Sequence, residues 1–143
     1  MVRVGVTEID IAYEDKAASM ERCVKAMEHA RENGVELLAF PEMTLAGFTM
    51  RPESMSEAYR DGRIPESISF FMKNSRQYGM GMAFGYIEAS MADGSPVFDD
   101  GGRKVYENKL ALVDGDNLIM DYSKIHPFSI SGEDRVYHAG DRL

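Results

Sequence analysis

Val35-Glu36-Leu37-Leu38-Ala39-Phe40, closed by Pro41, is the stretch on which the fold turns. It is nearly all apolar, the pattern of a strand covered on both faces in a parallel pair. Pro41 lacks the N–H that a ladder needs and marks the strand's end. Immediately upstream, Asn33-Gly34 supplies the left-handed stop that helices favour. Behind it Met20, Cys23, Val24, Met27 and Ala30 recur at helical spacing, with Asp15 as the N-cap, so an amphipathic helix with one buried face is predicted. Val2, Val4 and Val6 alternate with Arg3, Gly5 and Thr7 and predict a first strand running to about Ile11. Strand, helix, strand makes a βαβ unit.

Downstream of Pro41 an irregular stretch runs from Thr44 to Arg63. Pro65 then suits a helix start, and Ile68, Phe71, Met72 and Tyr78 lead to Gly79 as a stop. Met80, Met82, Phe84 and Tyr86 alternate with glycines and Ala83, predicting a third strand whose small residues let a covering layer approach closely. Ala92 to Lys104 reads as a solvent loop from its Asp-Gly, Ser-Pro and Asp-Gly-Gly steps. Val105–Val113 and Leu118–His126 are strand-like, with Asp114-Gly115-Asp116-Asn117 as the hairpin turn between them. The expected fold is α/β: a mixed sheet, parallel first and antiparallel after, with two helices. The polar segment from Pro127 to Leu143 has no period, and such segments wrap a site or lead into a following domain.

Composition narrows the function classes. At 143 residues, 44% hydrophobic and 28% charged, the chain suits one ordinary globular domain. Its longest apolar stretch is far too short to span a bilayer, and the N-terminus lacks the apolar segment of a signal peptide. A cytoplasmic location without membrane attachment is expected. The formal net charge of −8, with Lys and Arg scattered, opposes nucleic acid as a partner. Cys23 stands alone, which rules out an intrachain disulfide and a cysteine-rich zinc site. Eleven methionines are read mainly as core filler.

Glu42 follows the buried second strand, at the end of an α/β sheet where ligands and catalytic groups collect. From position alone it reads equally as a cap or a surface carboxylate. Lys124 lies near the end of the fifth predicted strand beside Tyr122, Ile125 and Pro127. It is either a partly buried functional amine or an edge-strand lysine that discourages aggregation. His126, Glu133, Asp134, His138 and Asp141 fit no familiar metal-ligand spacing and are read as solvated or structural. Gly81 and Gly85 sit inside a strand and form no phosphate loop.

The wording around both residues adds a resemblance. Phe40-Pro41-Glu42-Met43-Thr44-Leu45-Ala46-Gly47-Phe48 resembles the glutamate segment of the nitrilase superfamily of carbon-nitrogen hydrolases, and Tyr122-Ser123-Lys124-Ile125-His126-Pro127-Phe128 resembles its lysine segment. The resemblance implies a four-layer α-β-β-α sandwich, of which residues 1–143 supply the N-terminal part. It implies Glu42 as general base, Lys124 as the group that stabilises the anionic tetrahedral intermediate, and Glu133 of Gly132-Glu133-Asp134-Arg135 as a second glutamate. It implies a small-molecule amide as substrate, with an N-carbamoyl compound or a nitrile as alternatives, and no organic cofactor or metal. Sheet surface left uncovered by the part not present implies association, as a homo-oligomer or with other chain. A non-catalytic binding or scaffolding domain is the remaining alternative.

Elementary acid–base chemistry agrees with those roles. A glutamate of pKa about 4.3 is roughly four units too acidic to deprotonate a thiol near 8.5, a gap on the order of 6 kcal/mol. Burying the glutamate and placing a cation near the thiol close it from both sides. In the family the nucleophilic cysteine follows the lysine. Here Cys23 precedes Glu42 and lies on the apolar face of the first helix, where a cysteine acts as a small hydrophobe. Ser123, Ser129 and Ser131 have no histidine and acid spaced to activate them. The domain is therefore expected to stop before its nucleophile. The source reading frame beyond Leu143 is expected to continue and to encode a cysteine soon after; a stop codon there would favour the non-catalytic reading.

Overall fold

A computed structural model of the chain describes residues 1–142. The element order is β1 (Val4–Val6), α1 (Lys16–Glu32), β2 (Leu37–Ala39), α2 (Pro52–Met55), α3 (Glu66–Tyr78), β3 (Gly81–Ala89), β4 (Met91–Ala92), β5 (Ser95–Pro96), β6 (Tyr106–Asp114) and β7 (Asn117–Ser123), followed by two short 3-10 turns, Ser129–Ser131 and Glu133–Arg135. The main sheet has the order β1-β2-β3-β6-β7, parallel from β1 to β3 and antiparallel from β3 to β7. This is the expected mixed α/β sheet with its two long helices. The four-residue α2 falls inside the stretch read as irregular, and β4 and β5 form a small hairpin inside the loop read from Ala92.

The local signals act where they were read. Asp15 caps α1 by accepting a hydrogen bond from the Ala18 amide at 3.0 Å. Gly79 ends α3 in the left-handed conformation, φ 64°. The N-terminus of α3, which opens behind Pro65, is capped from a distance: the Glu57 carboxylate accepts from the Ser67 amide at 2.7 Å and from its hydroxyl at 2.6 Å. The first strand is shorter than predicted and stops at Val6 rather than near Ile11. Its partner β2 ends at Ala39 before Pro41, so β1 runs out of ladder after Thr7 donates to the Ala39 carbonyl. Residues 7–15 turn away instead, and the Glu14 amide braces the Ala46 carbonyl at 2.8 Å.

The two faces of the sheet differ. Leu38, Met82, Phe84, Ala111 and Val113 point to the helices and close a core with Cys23 and Met27 of α1 and Ile68 and Phe71 of α3. Phe71 stacks on Phe84 with ring centroids 3.9 Å apart. The opposite face follows from the register: Val4 and Leu37 beside Gly81, then Val6, Ala39, Ala83, Leu112 and Met120 in one row, with Gly85, Leu110 and Tyr122 in the next. Val6 is 83% exposed and Met120 41%, so this apolar face lies open. Several methionines are core filler as read, with Met27, Met43, Met80 and Met82 buried. Among the described residues no helix is long and apolar enough to cross a membrane. An open apolar face of this kind drives association, and light scattering on the chain is expected to show oligomers, a result that a monodisperse monomer would contradict.

Candidate active site

Where β3 crosses beneath the turn after β2, the two backbones touch. A Cβ on Gly85 would stand 2.4 Å from the Met43 nitrogen and 2.8 Å from the Glu42 Cα, so only glycine fits there. The contact is held by the Thr44 amide donating to the Gly85 carbonyl at 2.9 Å and the Gly85 amide donating to the Thr44 hydroxyl at 3.1 Å. Met43 takes a left-handed φ of 47°, a costly conformation for a long side chain, and its side chain is buried with Ala46, Ile87 and Tyr137. The strained turn points Glu42 over the end of the sheet. The small residues of β3 thus serve the close approach predicted for them, and what approaches at Gly85 is the segment carrying Glu42.

Lys124 follows the last residue of β7 and extends the ladder by one bond, its amide donating to the Asn108 carbonyl at 2.9 Å. The returning tail holds it from behind. Gly140 donates to the Lys124 carbonyl at 2.9 Å and lies so close to Ser123 that a Cβ would stand 2.5 Å from the Ser123 oxygen. The same tail, through its two 3-10 turns, carries Glu133 inward.

These segments bring the three expected residues together. The Lys124 ammonium donates to Glu42 Oε1 at 2.6 Å and to Glu133 Oε2 at 2.9 Å, with Glu133 Oε1 at 3.2 Å. Glu133 is fully buried, against the expectation that an acidic residue in a polar tail is solvated. Its burial is made tolerable by donors on both oxygens: Asn108 Nδ2 to Oε1 at 2.8 Å, and the Phe128 amide to Oε2 at 2.6 Å beside Lys124. Glu42 departs from expectation in the other direction, since its side chain is 44% exposed rather than buried. Its Oε1 accepts from both Lys124 and Asn108. The cluster borders a cavity of about 280 Å³ lined by Glu42, Gly85, Asn108, Leu110, Tyr122 and Lys124, together with Lys109.

Burial alone would push the Glu133 carboxyl up, yet the Phe128 amide, the Asn108 amide and the Lys124 ammonium outweigh it and hold it below the ordinary carboxylate range. Burial likewise disfavours the Lys124 ammonium, and the hydrogen bonds and charges of Glu42 and Glu133 outweigh that, holding lysine above its usual value. Cys23 lies in the helix-side core, on the other face of the sheet, and burial pushes its thiol up to about 12. That is the inert hydrophobe anticipated from its helix face. Of the serines near the lysine, Ser131 donates to the Phe128 carbonyl and Ser123 packs under Gly140. The residues considered for a metal separate, with Glu133 turned to Lys124 and His138 Nε2 facing Asp99 at 3.3 Å.

Asn108 was not identified from sequence. The available signal at Asn108 was a polar residue in phase with Tyr106, Leu110 and Leu112 on one face of the strand, where an amide needs a partner.

The mixed α/β sheet thus gathers two carboxylates and an ammonium at one end of its open face. The family model described as carbon-nitrogen hydrolase matches residues 3–142, and the chain belongs to that family. It is 24% identical over 135 residues to an arylacetonitrilase of Fusarium vanettenii, covering 88% of this chain and 37% of that protein. A solved member of branch 10 of the nitrilase superfamily from Saccharomyces cerevisiae superposes with a TM-score of 0.78 at 15% identity, over 99% of this chain and 49% of that one. A carbon-nitrogen hydrolase superfamily protein of Xanthomonas campestris gives 0.74 at 17% identity, over 99% and 47%. An amidase from Nesterenkonia sp. gives 0.75 at 15%, over 99% and 49%. The chain therefore spans about half the length of these solved structures, and less of the curated relative.

The ionisation of the cluster sets a pH dependence. The Glu133 pKa is lower folded than unfolded, so its stabilising contribution is complete above the ordinary carboxylate value of about 4.3 and is lost as pH falls through the folded value. For Lys124 the folded pKa is raised, so its contribution is present below about 10.4 and is lost as pH rises through the folded value. Urea unfolding as a function of pH is expected to show a falling acid limb that Glu133→Gln flattens. Glu133→Ala is expected to cost about 1 to 3 kcal/mol at neutral pH, because it leaves the buried Asn108 amide short of an acceptor while Lys124 keeps Glu42 as its partner. An unchanged acid limb in Glu133→Gln would refute this role for the carboxylate.

Proposed function

We propose that this chain supplies the base, the cation and the second carboxylate of a cysteine-dependent carbon-nitrogen hydrolase acting on a linear, non-peptide amide. The observation that carries the reading is the convergence of the Glu42 and Glu133 carboxylates on the Lys124 ammonium, with Glu42 brought in from 82 residues away. The two carboxylates differ in what they can do. Glu133 has donors on both oxygens and stays ionised, so it holds Lys124 in place and fixes its charge. Glu42 has both of its donors on Oε1, which leaves Oε2 to take a proton.

The thiolate comes from a segment other than these 143 residues, since Cys23, the single cysteine, is sealed in the core. Glu42 takes the thiol proton, and the thiolate attacks the amide carbon. Lys124 faces the oxyanion that forms. When the C–N bond breaks, the amine leaves with the proton held by Glu42 and a thioester remains. Water then gives a proton to Glu42 and attacks the thioester, releasing the carboxylic acid and restoring the thiol.

The amidase reading is favoured by the Pro-Glu-Met and Gly-Phe wording and by Gly-Glu-Asp-Arg, and it is consistent with the fold likeness to an amidase. The match to an arylacetonitrilase supports a second reading, hydrolysis of a nitrile by the same groups. Ammonia release assays separate these readings from a binding domain. The 143-residue chain alone is expected to release none from glutamine-like amides. In the intact enzyme Glu42→Gln and Lys124→Ala are each expected to lower kcat by about 10²-fold or more. Turnover that survives both substitutions would sink the assignment.

A further inference from the structure

Asn108 is 3% exposed, occupies the interior strand β6 between β3 and β7, and meets every member of the cluster, yet none of the roles above uses it. A side-chain amide carries two N–H donors. Here they go to different carboxylates, one to Glu42 Oε1 and the other to Glu133 Oε1 at 2.8 Å. Its backbone carbonyl accepts the Lys124 amide at 2.9 Å. One residue thus touches both acids through its side chain and the cation through its main chain.

From these contacts we infer that Asn108 is the positioning residue of the site: it pins Glu42 by Oε1 beside Glu133, so that Oε2 is the oxygen presented for proton transfer. This deepens the reading of Glu42 as the base and rests on it. The chemistry of the position is restrictive. Two carboxylates and one ammonium carry a net charge of −1, and the acids repel where they converge on the lysine. A third carboxylate at 108 would add to that repulsion, and a second cation would compete with Lys124 for both acids. A neutral group with two donors joins the acids without changing the charge. The amide orientation follows from the same contacts, because turning Oδ1 toward two carboxylates would set oxygen against oxygen. The short side chain on a strand paired on both sides has few alternatives, whereas the long flexible stem of Lys124 could not fix Glu42 alone.

The test uses the ¹⁵N-labelled 143-residue chain and reads the two Asn108 side-chain amide protons. Glu42→Gln replaces a charged acceptor by a neutral one and is expected to move one of the two resonances upfield while leaving the other; Glu133→Gln is expected to move the other. Asn108→Leu, of similar shape but without donors, is expected to raise the titration midpoint of the ¹³C-labelled Glu133 carboxyl, with backbone amide dispersion confirming the fold. Should Asn108→Leu fail to fold, the two glutamine variants decide the matter by themselves, since both keep Asn108. Amide protons that ignore Glu42→Gln, or that both answer to a single glutamate, would overturn the inference and leave Glu42 as base intact. A correct amide pattern in an intact enzyme that is indifferent to Glu42→Gln would instead overturn the base assignment.

Discussion

A carboxylate with no solvent exposure has to be given donors, and the organisation of this chain around its site follows from how Glu133 obtains them. Burying an isolated carboxylate is prohibitive. The Glu133 oxygens are met by an amide from β6, an ammonium from the end of β7 and a main-chain N–H from Phe128. Each donor fixes a different piece of chain. The lysine is drawn toward the tail, the tail is folded back over the sheet end, and Asn108 is held at the contact between them. The Tyr137 hydroxyl, donating to the Thr49 carbonyl at 2.7 Å, ties the same tail to the segment beyond Glu42. A polar residue in a segment without periodicity is thus the point to which three parts of the chain are bound.

Glu42 is held by a different kind of force. Its position comes from backbone contact at Gly85 and from the strained turn at Met43, whose side chain is sealed in a small cluster with Ala46, Ile87 and Tyr137. Burial of that methionine helps offset the cost of its left-handed backbone. Steric fit and apolar packing therefore aim the base, while electrostatics aims the cation and the second acid. The two mechanisms meet at Glu42 Oε1, where Lys124 and Asn108 converge.

The sheet itself is two-sided in its chemistry. Against α1 and α3 it carries large residues, including the Phe71–Phe84 stack. On the open side it carries Gly81 and Ala83 beside exposed Val4, Val6 and Met120, an apolar surface suited to a second layer. Glu42 and its cavity lie at the end of that same open face. Its exposure and the openness of the sheet are consequently one fact seen at two places, and whatever covers the sheet also changes the dielectric around the base.

Much of the fold was written in local pattern. The apolar run before Pro41, the helical spacing behind Asp15, the glycine stops and the hairpin turn at Gly115 each act over a few residues, and each is found within a residue or two of where it was read. The length of β1 escaped because a strand lasts only as long as its partner, and Pro41 lies some thirty residues away in sequence. For the site, the segments around Glu42 and Lys124 identified the groups that meet, and the sequence by itself determined which acids and which cation were available. Only the tertiary structure decided that Glu133 is buried, that Glu42 is exposed, and that Asn108 joins them. Burial and pairing of charges depend on chain segments up to 91 residues apart, from Glu42 to Glu133, and no local pattern encodes how such segments converge.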